Sequence, residues 1–343
     1  MLTDKLIEEG RLDKDEYKEL LDTCTEQDMD RLKEAAVAIR RRHYGTKVYV
    51  RGLIEYTNHC RNNCYYCGIR ADNRKVSRYR LTDEEILECC REGYRLGLRT
   101  FVLQGGEDAR DTDDRMEALI RGIKAEFPQC AVTLSIGERE QESYRRFRQA
   151  GADRYLLRHE TAEEGHYRIL HPEPLSLPHR KECLYQLKQL GYQVGAGFMV
   201  GSPGQDNACL ASDLVFLEEL QPQMVGIGPF VPHHDTPFAG KERGSVEKTL
   251  LMLSIVRILL PKALIPATTA LGTVDTEGRE KGLQAGANVV MPNLSPVGVR
   301  KRYALYDGKL CTGEEAVESL KRLEVSIGRA GYQLVYDRGD AAF

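Results

Sequence analysis

From Val48 onward the chain alternates short β-rich runs with segments of helical period. That alternation restricts the fold more than any other property of its 343 residues. The β-rich runs fall near 50–56, 99–104, 131–135, 153–158, 193–200, 223–230, 264–268 and 287–291, and helix-period segments near 82–96, 113–127, 139–150, 179–190, 207–220, 246–260 and 277–285 lie between them. Thr82 with Glu85 reads as a capping box, and Ala150-Gly151-Ala152-Asp153 and Ala285-Gly286-Ala287-Asn288 read as turns into strands. Eight strands alternating with helices predict an α/β fold, a parallel (β/α)8 TIM-type barrel. A doubly wound open sheet is the alternative, because periodicity does not prove closure.

Ahead of the barrel, Asp13 with Glu16 forms a second capping-box pattern. Met29, Leu32, Ala36 and Ile39 then step by three and four, and Gly45 is placed to end that helix. The expected organisation is a helical segment over 1–45, a barrel over 46–295 and an extension over 296–343 packed on the barrel. Composition narrows the class of function. Lys plus Arg number 49 against 52 Asp plus Glu, a net charge of −3, so no strong basic field favours nucleic acid or an anionic membrane. The run Leu250 to Leu260 is broken by Ser254 and Arg257 and stopped by Pro261, too short to span a bilayer. The start, MLTDKLIEEG, has neither a basic n-region nor an apolar h-region. Ten cysteines without a signal imply a reducing compartment. The expectation is a cytoplasmic protein with no nucleic-acid or membrane partner.

A barrel places chemistry at the C-terminal ends of its strands. Those ends read Gln104-Gly105-Gly106-Glu107, Ser135, Arg158-His159-Glu160, Met199-Val200-Gly201, Thr268-Thr269 and Met291-Pro292-Asn293, polar or glycine-rich where the strand bodies are apolar. Cys60, Cys64 and Cys67 stand in the loop after the first strand, in the run NHCRNNCYYCG. A fixed C-x3-C-x2-C pattern arises by chance roughly 0.007 times in a chain of this cysteine content. Three thiolates so close repel unless a cation or cluster neutralises them. Structural zinc would want four ligands, and an electron-transfer ferredoxin four thiolates. Three leave one iron of a 4Fe–4S cluster open to a substrate or cofactor. Tyr66, directly before Cys67, is placed to cover the cluster or an adenine from one side.

C-x3-C-x-aromatic-C after strand one of a barrel resembles the radical S-adenosylmethionine superfamily. The resemblance implies that Cys60, Cys64 and Cys67 hold one 4Fe–4S cluster and that S-adenosylmethionine chelates the fourth iron. One-electron reduction then releases a 5′-deoxyadenosyl radical. By the same resemblance Gly105-Gly106-Glu107 approaches the methionine amino group, Glu160 binds the ribose hydroxyls and Arg180 meets the methionine carboxylate. Gln104, Ser135, Arg158 and Met199 complete the expected cofactor site. The strings VLQGGED, TLSIGE, ADRYLLRHETA, GYQVGAGFMVGSPGQ, MVGIGPFVPHHDTP, IPATTALGT and GANVVMPN are similar to the HydE family of FeFe-hydrogenase maturases, across about residues 45 to 311.

That likeness implies a substrate, an iron–cysteine–carbonyl–cyanide precursor supplied by a partner maturase. It also implies other hydrogenase maturation proteins as partners and an electron donor such as ferredoxin or flavodoxin. Thr133, Thr268, Thr269, Met291, Tyr303 and Tyr306 are the candidates for contact with the substrate. A radical mutase of the methylornithine synthase kind, or a sulfur-inserting enzyme like biotin synthase, is the alternative. Two departures stand out. Cys311 is alone where some HydE proteins carry a second cysteine set, which predicts a single cluster. The family's His-Pro-Asp reads His233-His234-Asp235, and adjacent loop histidines are expected to be solvated or packed rather than metal-bound.

Overall fold

The computed structural model describes residues 1–310, 313 and 316–341; Cys311 lies outside the described residues. Three capped helices come first, Leu2–Glu9, Lys14–Thr23 and Glu26–Tyr44. The second is started by the Asp13–Glu16 box and the third is closed at Gly45, whose N–H bonds the Arg41 carbonyl. Glu26–Tyr44 packs on the late helix Val246–Leu259, and Lys14–Thr23 on Asn207–Leu220. The helical prelude therefore lies on the barrel's outer layer.

The barrel closes. Its first strand runs as Lys47–Val50 and Gly52–Thr57, and a six-stranded parallel ladder continues from the second piece through Thr100–Gly105, Ala131–Ser135, Arg154–Leu156, Gln193–Ala196 and Met224–Val225. Single bridges carry the ring onward, Met224 to Leu264 and Pro266 to Val289. Val289–Val290 then pairs with Tyr49 and Val50, and Leu53 bridges Asn293. Successive barrel strands are separated by helix, and the apolar faces of both meet in a large main core, with a smaller cluster around Met224, Leu264 and Val289.

Several expected strands are shorter than their residues suggest, among them 153–158, 223–230 and 287–291, and two show why. The run 193–200 breaks at Gly197, whose φ is +151° and whose Cβ, if present, would lie 2.0 Å from the Gly226 carbonyl oxygen. Only glycine allows this crossing, and beyond it the chain forms a separate ladder of Met199–Val200 with Gly228–Pro229. The run 264–268 is corrected too. Thr268 caps the helix Thr269–Val274 by accepting a bond from the Leu271 N–H at 3.3 Å, so a β-branched pair read as strand is a helix start. Helices Glu164–Leu170 and Ala316–Arg329 and the strand Gln333–Val335 were not foreseen.

That last strand pairs in parallel with Lys47–Tyr49 at the lower end of the barrel. The tail behind it closes the floor. Arg154, with no exposed side-chain surface, donates to the carbonyls of Arg338 and Gly339 at 2.9 and 3.0 Å and to Asp340 Oδ1 at 2.7 Å. Arg51, also buried, reaches the Gly339 carbonyl at 3.3 Å. At the opposite end, the segment around Tyr303 is tied down by Lys309, which donates to the Tyr303 carbonyl at 2.9 Å and pairs with the buried Glu55 of strand one. No helix among the described residues is long and apolar enough to cross a membrane.

Candidate active site

At the C-terminal ends of the strands lies a cavity of about 300 Å³. All three cysteines of the triplet line it, together with Tyr66. The cysteine loop is held tightly against strand two. Gly106 lies so close to it that a Cβ would sit 2.3 Å from the His59 carbonyl oxygen and 2.6 Å from Cys60 Cβ, so glycine is required there by contact. Glu107 is the brace. Its backbone carbonyl accepts the Arg61 N–H at 2.9 Å, its Oε2 accepts Arg61 Nε at 3.0 Å, and its Oε1 accepts the Glu138 N–H at 2.8 Å. The carboxylate expected beside a cofactor amine is therefore also the tie between the cysteine loop and the loop after strand three.

Burial pushes the three thiols up, that of Cys64 to about 12. Bare, they would keep their protons; iron would displace them. Ligand atoms converging within 4.8 Å occur, among the described residues, at His233, His234 and Asp307, and the cysteine sulfurs do not converge in that way. Three thiols on one cavity wall, too spread for a single ion, suit a multi-iron cluster with one iron left unclaimed by protein.

Of the other expected residues, Gln104, Gly105, Gly106, Glu107 and Ser135 line the same cavity, as do Arg158, Glu160, Arg180 and Met199. Arg158 Nη2 and Glu160 Oε2 stand 3.2 Å apart without hydrogen-bond alignment, and both atoms are buried and otherwise unpartnered. Glu160 holds a left-handed backbone, φ +65°, rare for a residue with a side chain. The strained backbone and the idle polar atoms mark this corner as built for a ligand. Arg180 is committed on one side, to Glu138 and to the Arg158 carbonyl at 2.7 Å.

Thr268, Tyr303 and Tyr306 also reach the cavity wall, but three expected substrate residues do not. Thr133 is buried in strand three on the same face as Ser135, one step farther from the strand end, with its hydroxyl unpartnered. Thr269 is turned into the helix that Thr268 caps, where Ala270 takes the wall position. Met291 packs with Met224, Leu264 and Val289. Depth below the strand end decides the placement of Thr133, the early start of that helix decides Thr269, and packing against the lower barrel cluster decides Met291.

Sequence reasoning missed His171 and Glu138. The Tyr167 carbonyl lies 3.1 Å from His171 Nδ1 and can only accept, so Nδ1 carries the proton. Nε2, 3.1 Å from the Tyr66 hydroxyl, is then the acceptor. Burial, helped by the charge of Arg180, drives the His171 pKa down to about 3, so the ring stays neutral and fixes Tyr66 by its hydroxyl. No pattern around His171 announces this role. Glu138 was visible only as the last residue of TLSIGE.

His233, His234 and Asp307 meet at the mouth. His233 Nδ1 accepts the Asp235 N–H at 3.1 Å, which puts its proton on Nε2, the nitrogen facing Asp307. His234 is exposed between two carboxylates, Nδ1 2.7 Å from Asp307 Oδ1 and Nε2 3.0 Å from Asp235 Oδ2. When protonated, His234 clamps the loop after strand six to the Tyr303–Lys309 segment. Its hydrogen bond to Asp307 raises the His234 pKa above 6.5. A raised folded-state pKa means the clamp is complete below the unfolded value and is lost as pH rises through the folded one. Proton NMR of His234 is expected to give a midpoint above 6.5, returning toward 6.5 in Asp307→Asn; equal midpoints would refute the clamp.

A second cavity, about 590 Å³, opens near the barrel floor beside His43, Gln223 and Lys262 and gathers no comparable ligand set. The chemistry belongs to the cysteine cavity.

Comparison with known proteins agrees with this geometry. Residues 54–217 match the Radical SAM superfamily model. The chain is 49% identical over 284 residues to the FeFe-hydrogenase maturase subunit HydE of Thermotoga maritima, covering 83% of this chain and 81% of that protein. It is 31% identical to 3-methylornithine synthase of Methanosarcina barkeri, covering 94% and 92%. The crystal structure of methylornithine synthase superposes with a TM-score of 0.84 at 29% identity, over 98% of this chain and 97% of that one. The maturase HydG of Carboxydothermus hydrogenoformans shares the fold, with a TM-score of 0.79 at 20% identity over 97% and 78%. With a cysteine triplet opening on a closed barrel and 49% identity to a maturase over 284 aligned residues, the chain is a radical S-adenosylmethionine enzyme and belongs to the family of the FeFe-hydrogenase maturase HydE.

Proposed function

We propose that the protein acts in assembly of the FeFe-hydrogenase H-cluster, on an iron-bound cysteine carrying carbonyl and cyanide ligands that a partner maturase supplies. Cys60, Cys64 and Cys67 would hold a single 4Fe–4S cluster. When bound, that cluster would supply the electron for reductive cleavage of S-adenosylmethionine, and with it the radical chemistry directed at the cysteine sulfur of the substrate. The protein's own part is placement and exclusion of water. Glu160 and Arg180 bind the ribose hydroxyls and the methionine carboxylate, Arg158 faces the anionic groups, and Tyr66 is held against the cofactor by His171.

The Tyr303–Lys309 segment closes the mouth, where its aromatic rings keep solvent from a reactive intermediate. Thr268 and Tyr306 stand on the substrate side. The reaction would take place in the cytoplasm, beside the other maturation proteins. The observation that carries the reading is the idle Arg158–Glu160 pair on the wall shared with the triplet, 3.2 Å apart and unsatisfied. A zwitterionic cofactor and an anionic substrate would each complete it.

The methylornithine synthase likeness supports a second reading, a radical mutase acting on an amino acid. Anaerobic reconstitution separates them. We expect about four irons per chain and a changed electron paramagnetic resonance signal on adding S-adenosylmethionine. We also expect 5′-deoxyadenosine release stimulated by a synthetic iron–cysteine–dicarbonyl–cyanide complex. Stimulation by a free amino acid and none by that complex would overturn the maturase reading in favour of the mutase.

A further inference from the structure

Residues 61–80 carry Arg61, Arg70, Arg74, Lys75, Arg78 and Arg80 against the single acid Asp72. Six cations less one anion leave five net positive charges, in a chain whose total is −3. This run contains Cys64 and Cys67 and continues past them to Arg80. Part of its charge is structural, since Arg80 forks onto Asp108 and Arg61 braces Glu107. Arg78 donates to four backbone carbonyls, of Asn58, Ile69, Arg70 and Asn73, and meets no carboxylate among the described residues, so its charge is left uncompensated. Arg74, and Arg110 on the neighbouring loop, are exposed and make no ion pair among the described residues.

Cys60 belongs to two spaces. It lines the barrel cavity on one side and, on the other, a surface cleft of about 230 Å³ walled by His59, Arg61, Arg78 and Arg80 and by the carboxylates Glu107 and Asp108, which pair with Arg61 and Arg80 and leave the Arg78 charge in excess. Cys64 and Cys67 are not part of that wall. A residue of the triplet that lines both the interior and a surface cleft carrying the excess charge of Arg78 is a short way into the buried site for an electron. Electrons need proximity only, whereas a substrate needs the mouth, which the Tyr303–Lys309 segment occupies elsewhere.

We propose that this face, centred on the cleft at Cys60, docks a small acidic electron-carrier protein. The inference rests on the radical-enzyme reading and adds to it where the electron enters. In the step, the carrier loses one electron and the cluster held by the triplet gains one; no proton or group moves. Complementary charge would steer encounter and fix orientation, and ordinary salt would weaken both.

The test is the double reversal Arg74→Glu with Arg110→Glu, neither residue lining the cavity. Affinity for two fluorescently labelled probes, a flavodoxin and a ferredoxin, is read by anisotropy, with and without the cluster. Binding is expected to weaken at least tenfold at low salt, and wild-type binding to fall steeply with added salt. Cleavage of S-adenosylmethionine driven by the carriers should drop in parallel while cleavage driven by dithionite is retained. The control Arg41→Glu with Arg42→Glu, exposed cations on the N-terminal helix, should bind like wild type. Unchanged affinity in the Arg74/Arg110 variant, salt-insensitive binding, or equal loss in the control would overturn the proposal. A failure of dithionite-driven cleavage in wild type would instead remove the radical-enzyme reading beneath it, and a response to only one of the two carriers would identify which it takes.

Discussion

Cys64→Ser, reconstituted anaerobically, is expected to lose the iron–sulfur absorbance and to release 5′-deoxyadenosine at least about a thousandfold more slowly than wild type, a barrier increase of roughly 4 kcal/mol. The cause is local. Serine offers a hard, poorly ionised oxygen where the site presents a soft sulfur, and two thiols cannot hold the cluster that three do. The change removes no core packing, because Cys64 faces the cavity, so the fold should persist by circular dichroism. Persistent cleavage in the serine variant would show that the triplet does not carry the chemistry.

Truncation after Asp337 should give the largest loss of stability. It removes the carbonyls of Arg338 and Gly339 and the Asp340 carboxylate from Arg154, and the Gly339 carbonyl from Arg51. Two buried guanidinium groups would remain in the barrel floor, repelling each other, with few of their partners left. Stranding a buried charge costs about 3–5 kcal/mol, which lowers Tm by roughly 4–7 °C in a chain of this size. Arg154→Met in the truncated protein should restore part of that loss by removing the stranded charge. A truncated form melting within about 2 °C of wild type would mean the tail is only a cover.

The same contact gives an acid limit. Burial opposes ionisation of Asp340, but Arg154 and its hydrogen bonds outweigh it and hold the carboxyl down to about 2 against an ordinary 3.8. A lowered folded-state pKa means this tie is complete above pH 3.8 and is lost as pH falls through about 2.

The barrel was legible because its signals are local: Thr82–Glu85 caps a helix, and alternating apolar runs make strands wherever they sit. The triplet was legible for the same reason, since three cysteines within eight residues must share a loop. The Arg158–Glu160 corner could be guessed from charges ending an apolar strand, though nothing local announced the left-handed backbone of Glu160. Strand seven misled, since Thr268 and Thr269 suit a strand as well as a helix cap and the choice rests on the Leu271 N–H. Met291 and Thr133 misled because a strand end does not say how deep a cavity reaches.

By itself the chain's order of residues determined the alternation, the caps and the sulfur ligands, all set within a turn or two of backbone. Only the closed ring decided the rest. It brought His171 to Tyr66, Glu138 to Arg180, Lys309 to Glu55 and the tail to Arg154, pairings spanning from 42 to 254 residues of chain for the ion pairs and hydrogen bonds concerned. The reason is energetic. A buried charge or hydroxyl must find a partner, and which partner is in reach depends on how the ring closes, a property that no short stretch of sequence contains.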